Sequence, residues 1–398
     1  MNNHDHSLRE IFPLIRAADN IVLYGDNHLF PDVQRFLRKF GKTPSVISAT
    51  DFPRITDLPL ERWKAEGTIL IIASFQELLL AKEIGESFEL NINKDFLLTS
   101  HVECAELGLW DILGAEFTNQ LRRSNRLISQ CQEIFSDHRS REMFNKVIYL
   151  KSNSLHPQKI AIDLLPVNPL VHNDYLREAE NLISHIPHQV PDGLAWAIAF
   201  KLAIRPYCYE DKVISEDKNF IINCGAHNGS SSGMFAMQNP TATILGFEPQ
   251  RSEWESHHSL ERVFPNIKSI NLGIWSRTER VEFEVAGDGL CGSSASRVGK
   301  GNSFIDVVSI DEYVTQNKVT HVDFIKMDIE GAEVEALKGA ESVIRSFKPD
   351  LAIAVYHKAS HLWEIPLLIN TLLPEYRIFF DHKYGNVSES VCFATARH

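Results

Sequence analysis

The segment from Phe220 to Pro249 admits few folds. It reads Phe220-Ile221-Ile222-Asn223-Cys224-Gly225-Ala226-His227-Asn228-Gly229, three serines from Ser230, a helix-length stretch, then Thr243-Ile244-Leu245-Gly246-Phe247-Glu248-Pro249. Two short apolar runs, joined through a glycine turn and one helix, predict a β-turn-α-β unit. Gly225 and Gly229 lack a Cβ, so a ligand can lie against the backbone and positive φ is available. The helix that follows aims free N–H groups at whatever sits over the turn. Glu248, at the carboxyl end of the second strand, can accept two hydrogen bonds from a vicinal diol such as a ribose. These features suit a nucleoside-containing cofactor; the plainer alternative is an ordinary turn. The Gly-x-x-x-Gly spacing lacks the G-x-G-x-x-G that lets a backbone hug a pyrophosphate, which disfavours a nicotinamide oxidoreductase.

The chain has 398 residues, enough for two or three domains. Lys plus Arg number 40 against 52 for Asp plus Glu, a formal charge of −12, and such a surface repels phosphate backbones. Nucleic acid is therefore not expected as a partner. The six cysteines are scattered without a C-x-x-C pair, as small buried residues of a reducing compartment would be. The start, Met-Asn-Asn-His-Asp-His, lacks the basic and apolar regions of a signal peptide. No apolar run approaches the ~20 residues of a membrane span. A cytoplasmic protein without membrane insertion is the expectation.

Three regions are expected. Residues 1–112 read as a small α/β domain: strands over Ile21–Tyr24, Pro44–Ser48, Thr68–Ala73 and Asp95–Thr99 alternate with helices. Its Gly25-Asp26-Asn27 turn has a single glycine, so a structural, docking or dimerisation role is preferred to nucleotide binding. Residues 113–212 read as a helical connector, Pro- and Asn-rich over 152–173 and broken at Pro187 and Pro191. From 213 to 398 strand alternates with helix until a final pair, Tyr376–Phe380 and Ser390–Ala396. That pattern predicts an α/β, Rossmann-like, mostly parallel sheet with helices on both faces. A Gly/Ser-rich loop, 287–301, is either an acceptor-facing lid or a long hairpin connection. His257 and His258 lie in a polar helix and are expected to be solvated.

A second dense motif is Phe324-Ile325-Lys326-Met327-Asp328-Ile329-Glu330-Gly331-Ala332-Glu333, followed by Leu337-Lys338-Gly339-Ala340, Lys348-Pro349, and Tyr356-His357 with Leu362-Trp363-Glu364-Ile365-Pro366. Taken with Asn-Cys-Gly-Ala-x-Asn-Gly and Phe-Glu-Pro, these resemble the FkbM-type methyltransferases from about residue 215 onward. Asp137–Glu142 and Pro206–Asp211 are similar to the lead-in of its bacterial members, and residues before them match nothing recognisable. The resemblance implies a class I methyltransferase fold and S-adenosylmethionine-dependent methylation of a hydroxyl on a sugar, polysaccharide precursor or secondary metabolite. It implies a cofactor set of Asn223, Gly225, Ala226, His227, Gly229, Ser230, Glu248 and Asn271, with Glu248 on the ribose. The family usually has an acid where this chain has Asn223, and often another at Asn228. Asn223 keeps hydrogen-bonding capacity but loses the charge that would face the cofactor's ammonium.

Transfer of a methyl group to a hydroxyl needs a positioned acceptor and a base. The crevice of an open α/β sheet lies outside the carboxyl ends of its strands, where Asp328, Glu330 and His357 fall. Alternation puts Lys326 on the side of Asp328, one step deeper. Asp328 or His357 is the candidate base, with Glu330 and Lys326 orienting. The bland alternative is that Asp328 and Glu330 cap the helix starting near Ala332. Oxygen and nitrogen donors of this kind could accept Mg²⁺, but nothing in the spacing indicates a metal. A catalytically silent protein that keeps the cofactor fold for binding or regulation is the rival from another class; intact Asp328, Glu330 and His357 count against it.

Overall fold

Sequence alternation settles into two parallel sheets. In the first, β1 (Asn20–Gly25), β2 (Ser45–Ser48), β3 (Thr68–Ala73) and β4 (Phe96–Leu98) run parallel in the order β2-β1-β3-β4. Helices Phe30–Arg38 and Glu77–Phe88 are the crossovers. Gly25 closes β1 at φ +142, and a Cβ there would stand 2.1 Å from the carbonyl oxygen of Ala73. The glycine is thus set by the approach of β3.

The computed structural model describes residues 10–25, 30–74, 77–99, 101–102, 113–153, 169–285, 296–298, 303–383 and 389–397. Among them, no helix is long and apolar enough to cross a membrane. Cys131, Cys208, Cys224 and Cys392 are free and buried.

The larger sheet holds seven strands. They are β5 (Phe220–Cys224), β6 (Thr243–Phe247), β7 (Ile267–Ile270), β12 (Phe324–Met327), β13 (Asp350–Ala354), β14 (Arg377–His382) and β15 (Ser390–Thr395). Their order is β14-β15-β13-β12-β5-β6-β7, with only β15 antiparallel to its neighbours. Period-two alternation splits the apolar residues between the faces. Ile221 and Phe324 pack with Phe235 and Ile198 on one side; Ile222, Ile325 and Leu351 pack with Leu337, Ile344 and Ile369 on the other. Covered on both faces, β12 and β13 are buried along their whole length, as parallel strands are. Between β5 and β12 the strand order reverses, which is where such sheets leave a crevice at their carboxyl ends.

A smaller sheet, β10-β9-β11-β8, flanks this one, built from β8 (Gly273–Ile274), β9 (Glu279–Val285), β10 (Ser296–Val298) and β11 (Ser303–Val308). The expected hairpin is there as the antiparallel pair of β9 and β11. Most of the 287–301 loop lies outside the described residues, apart from β10, which pairs with β9.

The sequence after Glu333 predicts one helix over Val334–Phe347; the structure has two, Glu333–Lys338 and Glu341–Phe347. The break falls at Gly339, where a Cβ would stand 2.2 Å from the Trp275 carbonyl oxygen. Asp311 then caps the second helix, accepting from the N–H groups of Ser342 and Val343 at 2.9 Å each. Earlier in the chain, helices Asn125–Ile134 and His138–Asn153 pack on helix His361–Leu372 and on β14. Ser136 N–H donates to Ile378 O at 2.8 Å, so the chain briefly lengthens the large sheet there. The two lead-in segments meet: Tyr209 Oη donates to Asp137 at 2.9 Å and Arg139 pairs with Glu210 at 2.8 Å.

Candidate active site

The turn after β5 is tied to β6 by the N–H groups of Gly225 and Ala226, both donating to Phe247 O at 3.0 and 2.9 Å. Gly225 (φ +77), His227 (φ +48) and Gly229 (φ +99) are all left-handed. The space left by the missing Cβ atoms is taken by the protein itself. A Cβ on Gly225 would lie 1.9 Å from Asp328 O, and one on Gly229 would meet Leu260 Cδ1 at 2.5 Å and His257 Cδ2 at 3.0 Å. The first glycine therefore locks the turn onto the end of β12, and the second seats it on helix Arg251–Ser259.

His257 is fully buried, against the expectation of a solvated side chain. Its ring lies over Gly246, where a Cβ would be 2.0 Å from Cε1. Loss of water lowers its pKa to about 4, so it is a neutral packing residue under the turn. The neighbouring His258 is half exposed beside Glu261, at 3.1 Å.

Glu248 follows β6 with its carboxylate already holding two backbone groups: His227 N–H at 2.9 Å on one oxygen and Gln250 N–H at 2.9 Å on the other. Each oxygen keeps a lone pair for a further donor. Burial raises its pKa, while His227 and the two backbone donors oppose the rise. Asn271 donates to the carbonyls of Glu248 and Pro249, at 2.9 and 3.0 Å, and so braces the loop that carries Glu248. Ser230 N–H is taken by Asn228 Oδ1 at 3.1 Å. Ala226 is buried, and His227 Nε2 faces Glu253 at 3.3 Å. Asn223 is fully buried, its amide donating to the hydroxyls of Ser231 and Ser232 at 2.9 Å each. Its carbonyl oxygen is a buried acceptor with no partner among the described residues.

On the other side of the crevice floor, Lys326 on β12 is buried beside Asn223, its register partner. Its ammonium donates to Gly225 O at 2.8 Å and Cys224 O at 3.3 Å, and stands 3.7 Å from Asp328 Oδ2. Burial lowers its pKa and Asp328 resists that. Lys326 is thus a strut between the two turns.

Asp328 and Glu330 leave the end of β12 on a turn in which Glu330 is left-handed, φ +55. Their side chains are partly open, 22% and 26% exposed, whereas His357 behind them is 1% exposed. His357 Nε2 faces Asp328 Oδ1 and Glu330 Oε2 at 3.4 Å each. Tyr356 Oη donates to Asp328 Oδ1 at 2.9 Å. Desolvation works against the charge on Asp328, but Lys326 and His357 outweigh it and hold the carboxyl below its ordinary value. Burial pushes Glu330 upward. Neither carboxylate caps the following helix. That helix has no side-chain cap; Glu333, its first residue, instead accepts from Ile329 N–H of the preceding turn at 2.9 Å.

His357 is expected as one of two candidate bases, and three carboxylates surround its ring. Desolvation opposes a charge on the ring, yet Glu333, Glu330 and Asp328 outweigh it and raise its pKa to about 10. A ring already protonated at neutral pH has no lone pair to offer. Asp328, the other expected candidate, is held below its ordinary value and is partly open. Glu389, just before β15, is a further carboxylate within electrostatic reach of Asp328, Glu330 and His357, raised to about 7 mainly by burial. Among the described residues, no group of three or more His, Cys, Asp or Glu side chains is arranged to hold a metal ion.

Several of these partners carried no role in the sequence. His361 had a signal in its H-x-x-x-H spacing after His357, and Glu333 in its place at the head of a helix. Nothing near Glu389 pointed to it.

Residues 223–386 match the methyltransferase FkbM domain, somewhat less than half of the chain. A crystal structure of methyltransferase FkbM from Methylobacillus flagellatus KT superposes with a TM-score of 0.54 at 16% identity, covering 98% of this chain and 95% of that one. At that identity the likeness speaks to the fold, and it extends through the first sheet and the helices after it. Aeropyrum pernix fibrillarin, solved with natively bound S-adenosyl-L-methionine, matches at a TM-score of 0.30 and 13% identity over 45% of this chain and 67% of its own. Precorrin-6y C5,15-methyltransferase from Geobacter metallireducens GS-15 also has a TM-score of 0.30, at 10% identity over 49% of this chain and 84% of its own. Both are too distant to build on. No curated protein matches the chain.

Proposed function

We propose that this methyltransferase, with its FkbM domain at residues 223–386, transfers a methyl group from S-adenosylmethionine to a hydroxyl of a sugar, polysaccharide precursor or secondary metabolite. One observation carries the reading: the left-handed glycine turn and the Asp328 turn are packed backbone to backbone at the point where the strand order reverses.

The residues present fit the cofactor. Glu248 keeps acceptor capacity toward a ribose diol, and the orphaned Asn223 oxygen is a ready acceptor at the end of β5. Gly225, Ala226, His227, Gly229 and Ser230 would form the wall under it, with Asn271 bracing Glu248 from behind. Bound there, S-adenosylmethionine supplies an electrophilic methyl group. Asp328 accepts the proton of the acceptor hydroxyl, and Tyr356 aims the carboxylate through its 2.9 Å bond. Glu330 borders the acceptor, while Lys326 fixes the distance between the two turns. No metal takes part in this reading, and the acceptor is a small molecule or saccharide met in the cytoplasm. Within the same reading, residues 1–112 serve docking or dimerisation, 113–212 join them to the catalytic unit as a helical connector, and 213–398 carry the chemistry.

The test begins with mass spectrometry of the purified protein for retained S-adenosylmethionine or its demethylated product. Transfer of labelled methyl is then screened over sugar nucleotides, polysaccharide precursors and hydroxylated metabolites. Asp328→Asn should leave cofactor affinity within a few-fold and lower turnover by ~10²–10⁴, the usual cost of losing a general base. Chelator should leave wild-type turnover unchanged. Wild-type turnover in Asp328→Asn would remove Asp328 as the base.

A further inference from the structure

We infer that Glu333 is a positioning residue: its carboxylate fixes the His357 ring from behind and the 329–331 turn from beneath, so that His357 Nε2 is held facing Asp328 and Glu330. This rests on the reading of Asp328 as the acceptor's base, and explains what keeps that carboxylate ionised and aimed.

Glu333 is fully buried, and a carboxylate without water persists only where fixed donors or cations replace it. Its Oε1 takes His357 Nδ1 at 2.8 Å and Ile329 N–H at 2.9 Å, with Gly331 N–H more distant at 3.4 Å. Its Oε2 looks at Nδ1 of a second buried ring, His361, at 3.3 Å. The bond at Nδ1 leaves Nε2 of His357 only one direction, toward Asp328 and Glu330 at 3.4 Å each. The two backbone donors belong to the turn on which Glu330 rides. One side chain therefore sets both the ring and the loop that face the acceptor.

The groups around His357 come from five elements. Asp328 and Glu330 follow β12, Glu333 and His361 head their helices, Tyr356 precedes the ring on its own strand end, and Glu389 precedes β15. Lys326 adds a positive charge beside Asp328. With carboxylates before and behind it, the ring serves as an imidazolium that donates and takes no proton. It helps hold Asp328 ionised and opposes part of the rise that burial gives Glu330, and the proton from the acceptor has Asp328 as its place.

Nuclear magnetic resonance of the full chain labelled with ¹⁵N-histidine, with His357→Gln for assignment, tests this without any acceptor. In the wild type the His357 ring should stay doubly protonated from about pH 6 to 9. In Glu333→Gln it should titrate well below the wild type, because desolvation is then opposed by Glu330 and Asp328 alone. Glu333→Asp should return it partway to the wild-type behaviour. The stability the charged ring contributes is complete below 6.5 and lost as pH rises toward about 10. Wild-type melting temperature should therefore fall over that range more steeply than that of Glu333→Gln. Calorimetry with S-adenosylhomocysteine should give Glu333→Gln an affinity within a few-fold of wild type.

A neutral His357 in the wild type at pH 7.5 would overturn the inference, and that spectrum decides even if the variant does not fold. So would an unchanged titration in folded Glu333→Gln, or a large loss of cofactor affinity, which would place its action at the glycine turn. Failure of the base assignment looks different: Asp328→Asn would turn over normally while the His357 titrations came out as stated.

Discussion

Replacing Gly225 with alanine should damage both the fold and the cofactor site, by an amount the geometry allows to be estimated. Its φ of +77 costs a residue with a Cβ about 1–2 kcal/mol. The new methyl would lie 1.9 Å from Asp328 O, whereas ordinary contact begins near 3.4 Å, so the two turns must part by 3.4 − 1.9 = 1.5 Å. Lys326 resists that parting, because its ammonium bonds Gly225 O while standing beside Asp328. Forced overpacking costs a further ~1–3 kcal/mol, for a total of about 2–5 kcal/mol. In a folding unit of this size that lowers the melting temperature by roughly 4–20 °C. A turn pushed off β12 should also bind S-adenosylhomocysteine at least tenfold more weakly, a loss of about 1.4 kcal/mol. Gly41→Ala is the internal control, since Gly41 has φ +69 but nothing within 4 Å of its would-be Cβ. It bears the backbone term alone. Differential scanning calorimetry and titration calorimetry read both effects. If Gly225→Ala melts and binds no worse than Gly41→Ala, the contact between the two turns is not what holds this site together.

Two further substitutions probe the cofactor wall by titration calorimetry. Glu248→Ala should weaken S-adenosylmethionine binding by about tenfold to a hundredfold, since a hydrogen bond to a charged group is worth ~1.5–3 kcal/mol; unchanged affinity would remove Glu248 from the ribose site. Asn223→Asp should tighten binding by up to about tenfold, because the Ser231 and Ser232 hydroxyls can turn to donate and Lys326 lies across the strand. Weaker binding by a folded Asn223→Asp would mean that this position answers to a different ligand arrangement.

Much of the fold was legible because its signals are local. The runs ending at Cys224, Phe247, Met327 and Ala354 are short, apolar and bounded by turn residues, and each became a buried parallel strand. What local pattern could not show was where non-neighbouring segments press together. The helix expected through Gly339 breaks because Trp275, some 60 residues earlier, puts its carbonyl against that glycine. His257 looked solvated because its neighbours in sequence are polar, yet Gly246, on the preceding strand, opens a slot that swallows the ring. Both misreadings have one cause: a glycine's missing Cβ was filled from another element of the fold.

The same cause separates the visible half of the site from the hidden half. Asp328, Glu330 and His357 could be placed at one crevice because all three end or follow strands of one parallel sheet, and topology alone sends such ends the same way. Which of them holds a proton could not be read, since charge state depends on the sum of neighbours rather than on place. Glu333 lies three residues after Glu330 yet points into the protein, where it meets His357 and His361 from two other elements. In the proposed reading that buried carboxylate turns the histidine from a candidate base into a fixed cation and leaves Asp328 as the base. On that reading a single acidic residue, ordinary in sequence at the head of a helix, sets the direction of proton flow in the proposed reaction. The roles of His357 and Asp328 are therefore set by what stands behind them.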